Sequence, residues 1–256
     1  MSGAQNVPKT AMVLAAGLGV RMRPLTNDRP KALVEVAGGA LIDHALDRLA
    51  AVGVETAVVN VHAFADQLEA HLAKRKTPRI VISDERAEAL ETGGGMKKAI
   101  PLLGQGPVWV CNIDTVWIES DVSALAAVAR AFDPARMDVC MLVAPTDESV
   151  GFHHTADGAN TGDLFLQEDG AVRFKDPGET APFLYVGFHI ANPEIVADGP
   201  DGAFGLLPIW KALTTRGRVF GVASPGLWMH VGTPGGVIEA EQILASAAAS
   251  GKAGSG

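Results

Sequence analysis

Apolar and polar positions change period repeatedly along the chain, and the changes mark out its elements. Continuous apolar stretches at Ala11–Ala15, Thr56–Val61, Arg79–Ser83, Val108–Asn112 and Met137–Val143 read as strands buried on both faces. Leu33–Val36 reads as a shorter one. Between them the apolar positions recur at helical spacing. Leu41–Val52 puts Ile42, Ala45, Leu46 and Leu49 on one face, and Ala63–Lys74 and Gly95–Leu103 follow. Ser120 is placed to cap a helix through Phe132, with Val122, Leu125, Ala129 and Phe132 inward. Strands alternating with helices predict a three-layer α/β/α arrangement around a mostly parallel sheet.

The second half changes character. Leu164–Gln167, Val172–Lys175 and Phe183–Ile190 read as strands, and the turn signal Glu168-Asp169-Gly170 predicts a small antiparallel excursion. Leu206–Thr215 then reads as a helix and Arg218–Val222 as a strand. Thr233 fits the N-cap and Pro234 the first position of a last helix. No linker divides the chain, so a single domain over residues 1–256 is expected, with loose termini at 1–8 and 247–256.

Composition narrows the function classes. With 48% hydrophobic residues, a chain of 256 residues can bury a sizeable core, which excludes whole-chain disorder. A net charge of −8 argues against a general nucleic-acid binder. No apolar run is long enough to span a membrane, and no signal-peptide pattern precedes Ala11. Cys111 and Cys140 read as buried strand thiols rather than a disulfide framework, so a reducing compartment, most simply the cytoplasm, is expected.

The charge is unevenly spread. Residues 1–31 hold Lys9, Arg21, Arg23, Arg29 and Lys31 against one acid, Asp28. Four of these cations follow the first strand, beside Ala15, Ala16, Gly17, Leu18 and Gly19. Ligands of open α/β sheets bind beyond the carboxyl ends of strands. A glycine-rich loop there exposes backbone N–H groups to phosphate oxygens. The loop lacks the GK[ST] ending of a P-loop. It also lacks the third small residue and the later acid of a dinucleotide fingerprint.

The run LAAGLGVRMRPLTNDRPKALVEVAGGALIDHALDRL resembles the signature of sugar-phosphate nucleotidyltransferases, roughly LAgGxGxRmxPLTxxxPKxLxxvxgxplI. The resemblance extends over about residues 9–245 and implies a Rossmann-like, GT-A-like nucleotidyltransferase fold. It implies that a sugar-1-phosphate attacks the α-phosphorus of a nucleoside triphosphate and pyrophosphate leaves. Such a reaction asks the protein to align two anions and neutralise charge. By resemblance, Arg21 faces the leaving phosphates, Lys31 lies near the transferred phosphate, and Ala15–Gly19 bind nucleotide.

Further matches carry further roles. Asp114 closes the strand Val108–Asn112 and is similar to the family's metal-binding aspartate in Asn-Gly-Asp, with Ile113 in place of the glycine and Asn112 beside the nucleotide. Magnesium takes one or two carboxylates plus phosphate oxygens, so one such acid can begin a site. Leu90-Glu91-Thr92-Gly93-Gly94-Gly95-Met96 resembles the stretch that contacts the nucleobase, which assigns Glu91, Thr92 and Gly93 to nucleotide. Its form is most similar to the branch acting on UTP and N-acetylmuramate-1-phosphate; mannose- and heptose-1-phosphate guanylyltransferases are the alternative.

Trp228-Met229-His230-Val231-Gly232-Thr233-Pro234 is similar to the family's W-x-D-x-G-T-P element, with His230 where the second metal-binding aspartate stands. His230 then has three readings: a metal ligand, a phosphate contact, or packing beside Trp228. An imidazole opens the site to Mn²⁺ or another divalent ion as well as Mg²⁺. On the acceptor side, Lys175 in Arg173-Phe174-Lys175-Asp176-Pro177 falls near the family's Glu-Lys-Pro, shifted by one residue. Gly151 and Gly187 fit places where a sugar meets backbone. His153 and His154 read as surface residues, because strand neighbours point to opposite faces. The partners implied are an NTP and a sugar-1-phosphate, without nucleic acid or membrane, in a monomer or small homo-oligomer. A non-catalytic nucleotide-binding relative is the reading of another class, resting on Ile113 and His230 alone.

Overall fold

A computed structural model describes residues 7–152, 160–224 and 226–251; His153 and His154 lie outside the described residues. The strands are β1 (Thr10–Leu14), β2 (Glu35–Val36), β3 (Gly39–Ala40), β4 (Thr56–Val61), β5 (Arg79–Asp84), β6 (Val108–Asn112), β7 (Thr115–Glu119), β8 (Val139–Pro145), β9 (Ser149–Val150), β10 (Leu164–Leu166), β11 (Val172–Phe174), β12 (Phe183–Ala191), β13 (Val219–Ala223) and β14 (Gly226–His230). The helices are α1 (Leu41–Ala51), α2 (Ala65–Leu72), α3 (Glu91–Leu103), α4 (Ala124–Ala131), α5 (Leu207–Thr214) and α6 (Pro234–Ala249).

The main sheet runs β11-β10-β12-β6-β1-β4-β5, and β8 joins β12 to β13. The β6-β1-β4-β5 ladder is parallel, so the carboxyl ends of these strands open on one edge. β12 enters antiparallel to both β6 and β8, and β10 pairs antiparallel with β11. Period-two alternation along β1 divides the core. Ala11 and Val13 face one layer with α1, α2 and α4, while Met12 faces the other with α3 and α5. This is the expected three-layer α/β/α architecture.

A second sheet, β7-β14-β9, was not predicted. Only Ile113 and Asp114 separate β7 from β6, too short a break to show in the apolar pattern. Trp117 and Trp228 are cross-strand partners, and their rings stack at 4.8 Å. This sheet brings His230 back to the end of β6, with Val231 N–H donating to the Asp114 carbonyl at 2.8 Å. It also moves the start of α4. Glu119 ends β7 and accepts from Ala124 N–H, and Ser123, not Ser120, caps the helix by accepting from Ala126 N–H.

Other boundaries shift for local reasons. The expected strand Leu33–Val36 is a 3-10 turn, Lys31–Leu33, followed by the two-residue β2. Val7 packs on the core and Pro8 is buried, while the alanine-rich α6 continues to Ala249. Both cysteines are buried and free. No helix among the described residues is long and apolar enough to cross a membrane.

Candidate active site

The chain leaves β1 at Leu14 and turns across the carboxyl edge of the sheet. Gly19 has φ +62°, and a Cβ there would stand 3.0 Å from Lys31 Cβ and from Thr26 Cγ2. Glycine suits both the conformation and the close approach. Thr26 Oγ1 donates to Gly19 O at 2.8 Å, and the buried Met22 pins the loop to the core under α6. Arg21, between these anchors, makes no hydrogen bond or ion pair among the described residues. The residue is exposed and lines the cleft.

Lys31 follows Pro30 and reaches Asp114 across the edge, with Nζ 2.7 Å from Oδ2. The same oxygen lies 3.3 Å from His230 Nε2. Burial pushes the Asp114 carboxyl up, but the Lys31 charge and the His230 hydrogen bond outweigh it and hold the group well below the usual carboxylate range. A carbonyl can only accept, so His230 Nδ1 donates to Gly151 O at 3.3 Å, leaving Nε2 turned toward Asp114. The ring contact of His230 is with Phe152, while Trp228 is buried against Trp117.

Two cavities meet at this cluster. The larger, about 540 Å³, is lined by the loop segment Ala15–Gly19 and by Arg21 and Lys31. Glu91 and Thr92 line it from α3, and Asn112 and Asp114 from the end of β6. The smaller, about 240 Å³, is lined by Gly187 and Tyr185 from β12, together with Phe152, Asp163 and His230. Arg21, Asn112 and Asp114 line both. Two ligands seated in the two cavities would therefore share one cation and one carboxylate.

Three expected contacts fall elsewhere. Gly93 lies inside α3 rather than before it, because the helix opens at Glu91; its N–H donates to Phe204 O at 2.8 Å and it does not line the larger cavity. Lys175 donates to Thr161 Oγ1 at 2.5 Å and to Thr161 O at 3.2 Å, and it does not line the smaller cavity. Gly151 stands behind His230 and accepts from its ring instead of lining the cavity.

Sequence reasoning missed Asn60 and Glu85 in the larger cavity, and Asp163 and Tyr185 in the smaller. Asn60 and Glu85 fall at the carboxyl ends of β4 and β5, where a polar residue closing an apolar strand is itself a signal. Asp163 carries no such sign. Tyr185 is held from behind, its hydroxyl 2.7 Å from Nδ1 of His189. Burial lowers the His189 imidazole to about 3, so this pair is neutral at physiological pH.

A mostly parallel sheet with a cation-bearing glycine loop, a carboxylate at the end of the neighbouring strand β6 and two joined cavities is the arrangement of a nucleotidyltransferase, and the family match agrees. The family model for the MobA-like NTP transferase domain matches residues 11–182, and the chain belongs to that family. It is 67% identical to the N-acetylmuramate alpha-1-phosphate uridylyltransferase of Caulobacter vibrioides, over 94% of this chain and 98% of that protein. It is 35% identical to the enzyme of the same name from Neisseria meningitidis serogroup B, over 91% of this chain and 97% of that one. Among solved structures, a UDP-glucose pyrophosphorylase complexed with UDP-glucose shares the fold, with a TM-score of 0.74, 18% identity, and coverage of 93% of this chain and 98% of that one.

Proposed function

We propose that the chain transfers a uridylyl group from UTP to N-acetylmuramate α-1-phosphate. An oxygen of the acceptor phosphate bonds to the α-phosphorus, the bond to the bridging oxygen breaks, and pyrophosphate leaves with that electron pair. The single observation carrying the reaction is that Arg21, Asn112 and Asp114 line both cavities, so donor and acceptor phosphates converge there. The choice of base and sugar rests on the 67% identical uridylyltransferase. A product of this kind belongs to the reuse of cell-wall sugars, in a reducing, UTP-containing compartment such as the cytoplasm.

The roles follow from position. The loop Ala15–Gly19 cradles the triphosphate, and Arg21 stabilises charge growing on the pyrophosphate. Lys31 neutralises the phosphoryl group in flight while holding Asp114 ionised. Asn112 lies beside the transferred phosphate, and Glu91 and Thr92 border the nucleoside. Gly187, Asp163 and Tyr185 receive the sugar. Positioning of this kind can supply about 7–11 kcal/mol of the barrier, and one charge stabiliser roughly 3–4 kcal/mol.

A divalent ion fits the donor set. Asp114 Oδ2 and His230 Nε2 lie 3.3 Å apart on the lining of the smaller cavity, so a carboxylate oxygen and an imidazole nitrogen would both face an ion bound there. Among the described residues no cluster of three or more His, Cys, Asp or Glu is present, so phosphate oxygens and water would have to complete the shell of an ion held there. We assign Asp114 and His230 as the residues holding Mg²⁺ or Mn²⁺, which supplies charge neutralisation on the phosphates when bound. His230→Asp is expected to shift the metal preference toward Mg²⁺; an unchanged metal profile removes His230 from the ligand set.

The test is pyrophosphate release from a matrix of NTPs and sugar-1-phosphates with Mg²⁺ or Mn²⁺. UTP with N-acetylmuramate α-1-phosphate is expected to be the fastest pair. GTP with mannose-1-phosphate as the fastest pair would select the guanylyltransferase reading. No release from any pair would make the chain a nucleotide-binding relative without turnover.

A further inference from the structure

Behind the larger cavity lies a buried polar pair that the reaction does not use directly. Asn60 and Glu85 are 2% and 1% exposed, at the carboxyl ends of β4 and β5. Asn60 Oδ1 accepts from two consecutive backbone N–H groups, Ala15 at 2.6 Å and Ala16 at 3.1 Å. These are the first amides of the glycine loop. The Asn60 amide group donates through Nδ2 to Glu85 Oε1 at 2.8 Å. Glu85 Oε2 then accepts from Leu90 N–H at 3.2 Å, one residue before Glu91. Every partner fixes its neighbour's orientation, because a flipped Asn60 would turn its NH₂ against two N–H donors.

The pair therefore ties together the two segments that border opposite parts of the nucleotide cavity, the phosphate loop and the start of α3. A third observation shows that room is kept for it. A Cβ on Gly95 would stand 2.7 Å from Glu85 Oε1 and 2.9 Å from Asn60 Nδ2. The glycines of Gly93-Gly94-Gly95 thus serve packing behind the cavity, and Gly95 makes space for this pair in particular.

We infer that Asn60 and Glu85 are positioning residues that set the spacing between the phosphate loop and the nucleobase side of the cavity, so that NTP affinity depends on them and acceptor affinity does not. The inference rests on the reading of the larger cavity as the NTP site. Chemistry supplies a specific test. In Glu85→Gln, the new NH₂ must face either the Asn60 NH₂ or the Leu90 N–H, a donor against a donor. In Asn60→Asp, two carboxyl oxygens face each other. In the double variant Asn60→Asp/Glu85→Gln, the amide introduced at position 85 donates to the carboxylate introduced at position 60 and accepts from Leu90 N–H. That carboxylate still accepts from Ala15 and Ala16. All partners are satisfied with the polarity reversed.

UTP binding by calorimetry with Mg²⁺ and steady-state KM for both substrates would be measured on the parent and on the single, double and Gly95→Ala variants. Each single variant is expected to weaken UTP binding about tenfold or more, and the double variant to recover most of it. Gly95→Ala leaves the pair's chemistry intact and crowds it, and is expected to weaken UTP binding in the same direction. The KM for N-acetylmuramate α-1-phosphate is expected to stay within about threefold in every variant that folds. Melting temperatures identify those variants; a folded, UTP-binding double variant beside unfolded singles would also support the pairing. Parent-like UTP affinity in Glu85→Gln and Gly95→Ala, or equal losses for both substrates, would overturn the inference. A parent protein that binds no UTP would instead overturn the reading of the cavity.

Discussion

The larger cavity is lined mainly by short contiguous segments: Ala15–Met22 follows β1, Ala89–Thr92 opens α3, and Asn112–Asp114 closes β6, with Lys31, Asn60, Glu85 and Gly232 added singly. The smaller cavity draws on more separate elements, with Phe152 after β9, Asp163 before β10, Tyr185–Gly187 from β12 and His230 from β14. The first is the carboxyl edge of a parallel sheet, where every strand end offers backbone and one or two side chains to the same space. The second lies where an antiparallel strand and a separate three-stranded sheet meet that edge. The segments of the first are tied from behind by hydrogen bonds from other strands, as Asn60 ties Ala15 and Ala16. The residues of the second come from several separate elements, each with its own partners, so its chemistry can change one residue at a time.

The sharpest way to break this contrast is at the residues the cavities share. Asp114→Asn is expected to lower turnover by about 10²–10³-fold while leaving the melting temperature within a few degrees. Comparable turnover would show that the carboxylate is not needed where the two ligands meet. Arg21→Ala should follow with about a 10²-fold loss in kcat/KM and a rise in both KM values, since Arg21 lines both cavities. A rise in only one would assign it to a single side.

Smaller effects separate the sides. Asp163→Ala is expected to raise acceptor KM about tenfold with UTP KM unchanged. Lys175→Ala should move acceptor KM by less than about threefold, because its ammonium is spent on Thr161. The reverse order would return the sugar phosphate to Lys175.

The smallest effect on activity concerns the support behind the acceptor wall. His189 binds its proton near 3 in the folded state and near 6.5 when unfolded. Between these values the unfolded chain holds more protons, so stability is lost as pH falls from about 6.5 toward 3. The slope from one such group is up to about 1.4 kcal/mol per pH unit. His189→Asn is expected to flatten thermal unfolding midpoints over that range at unchanged UTP affinity; an equally steep profile would show that His189 does not set it.

Legibility in the sequence follows the same division. β1, α1, β4, β5 and β6 were readable because burial on both faces or one face imposes a clear period, and Arg21, Lys31 and Asp114 sit at fixed offsets from those elements. β7 and β14 were harder: their partnership is non-local, and nothing near Thr115 announces that Trp117 will stack on Trp228. The glycine cluster misleads for a related reason. Gly93–Gly95 look like a loop, yet Phe204 O, from a segment more than a hundred residues away, accepts from Gly93 and Gly94 and lets the helix open earlier. Motif spacing places Lys175 at the sugar phosphate, but the antiparallel β10–β11 pairing turns it to Thr161. Asp163 and Tyr185 have no local pattern, since only tertiary contacts bring them to the site.

The most direct measurement is ³¹P NMR of the purified protein with Mg²⁺, UTP and N-acetylmuramate α-1-phosphate. The expected result is the growth of a sugar-linked diphosphate and of pyrophosphate in equal amounts, as UTP and the sugar phosphate disappear together. UTP hydrolysis without a sugar-linked product, or no change in any phosphate signal while UTP is bound, would contradict uridylyl transfer at the meeting point of the two cavities.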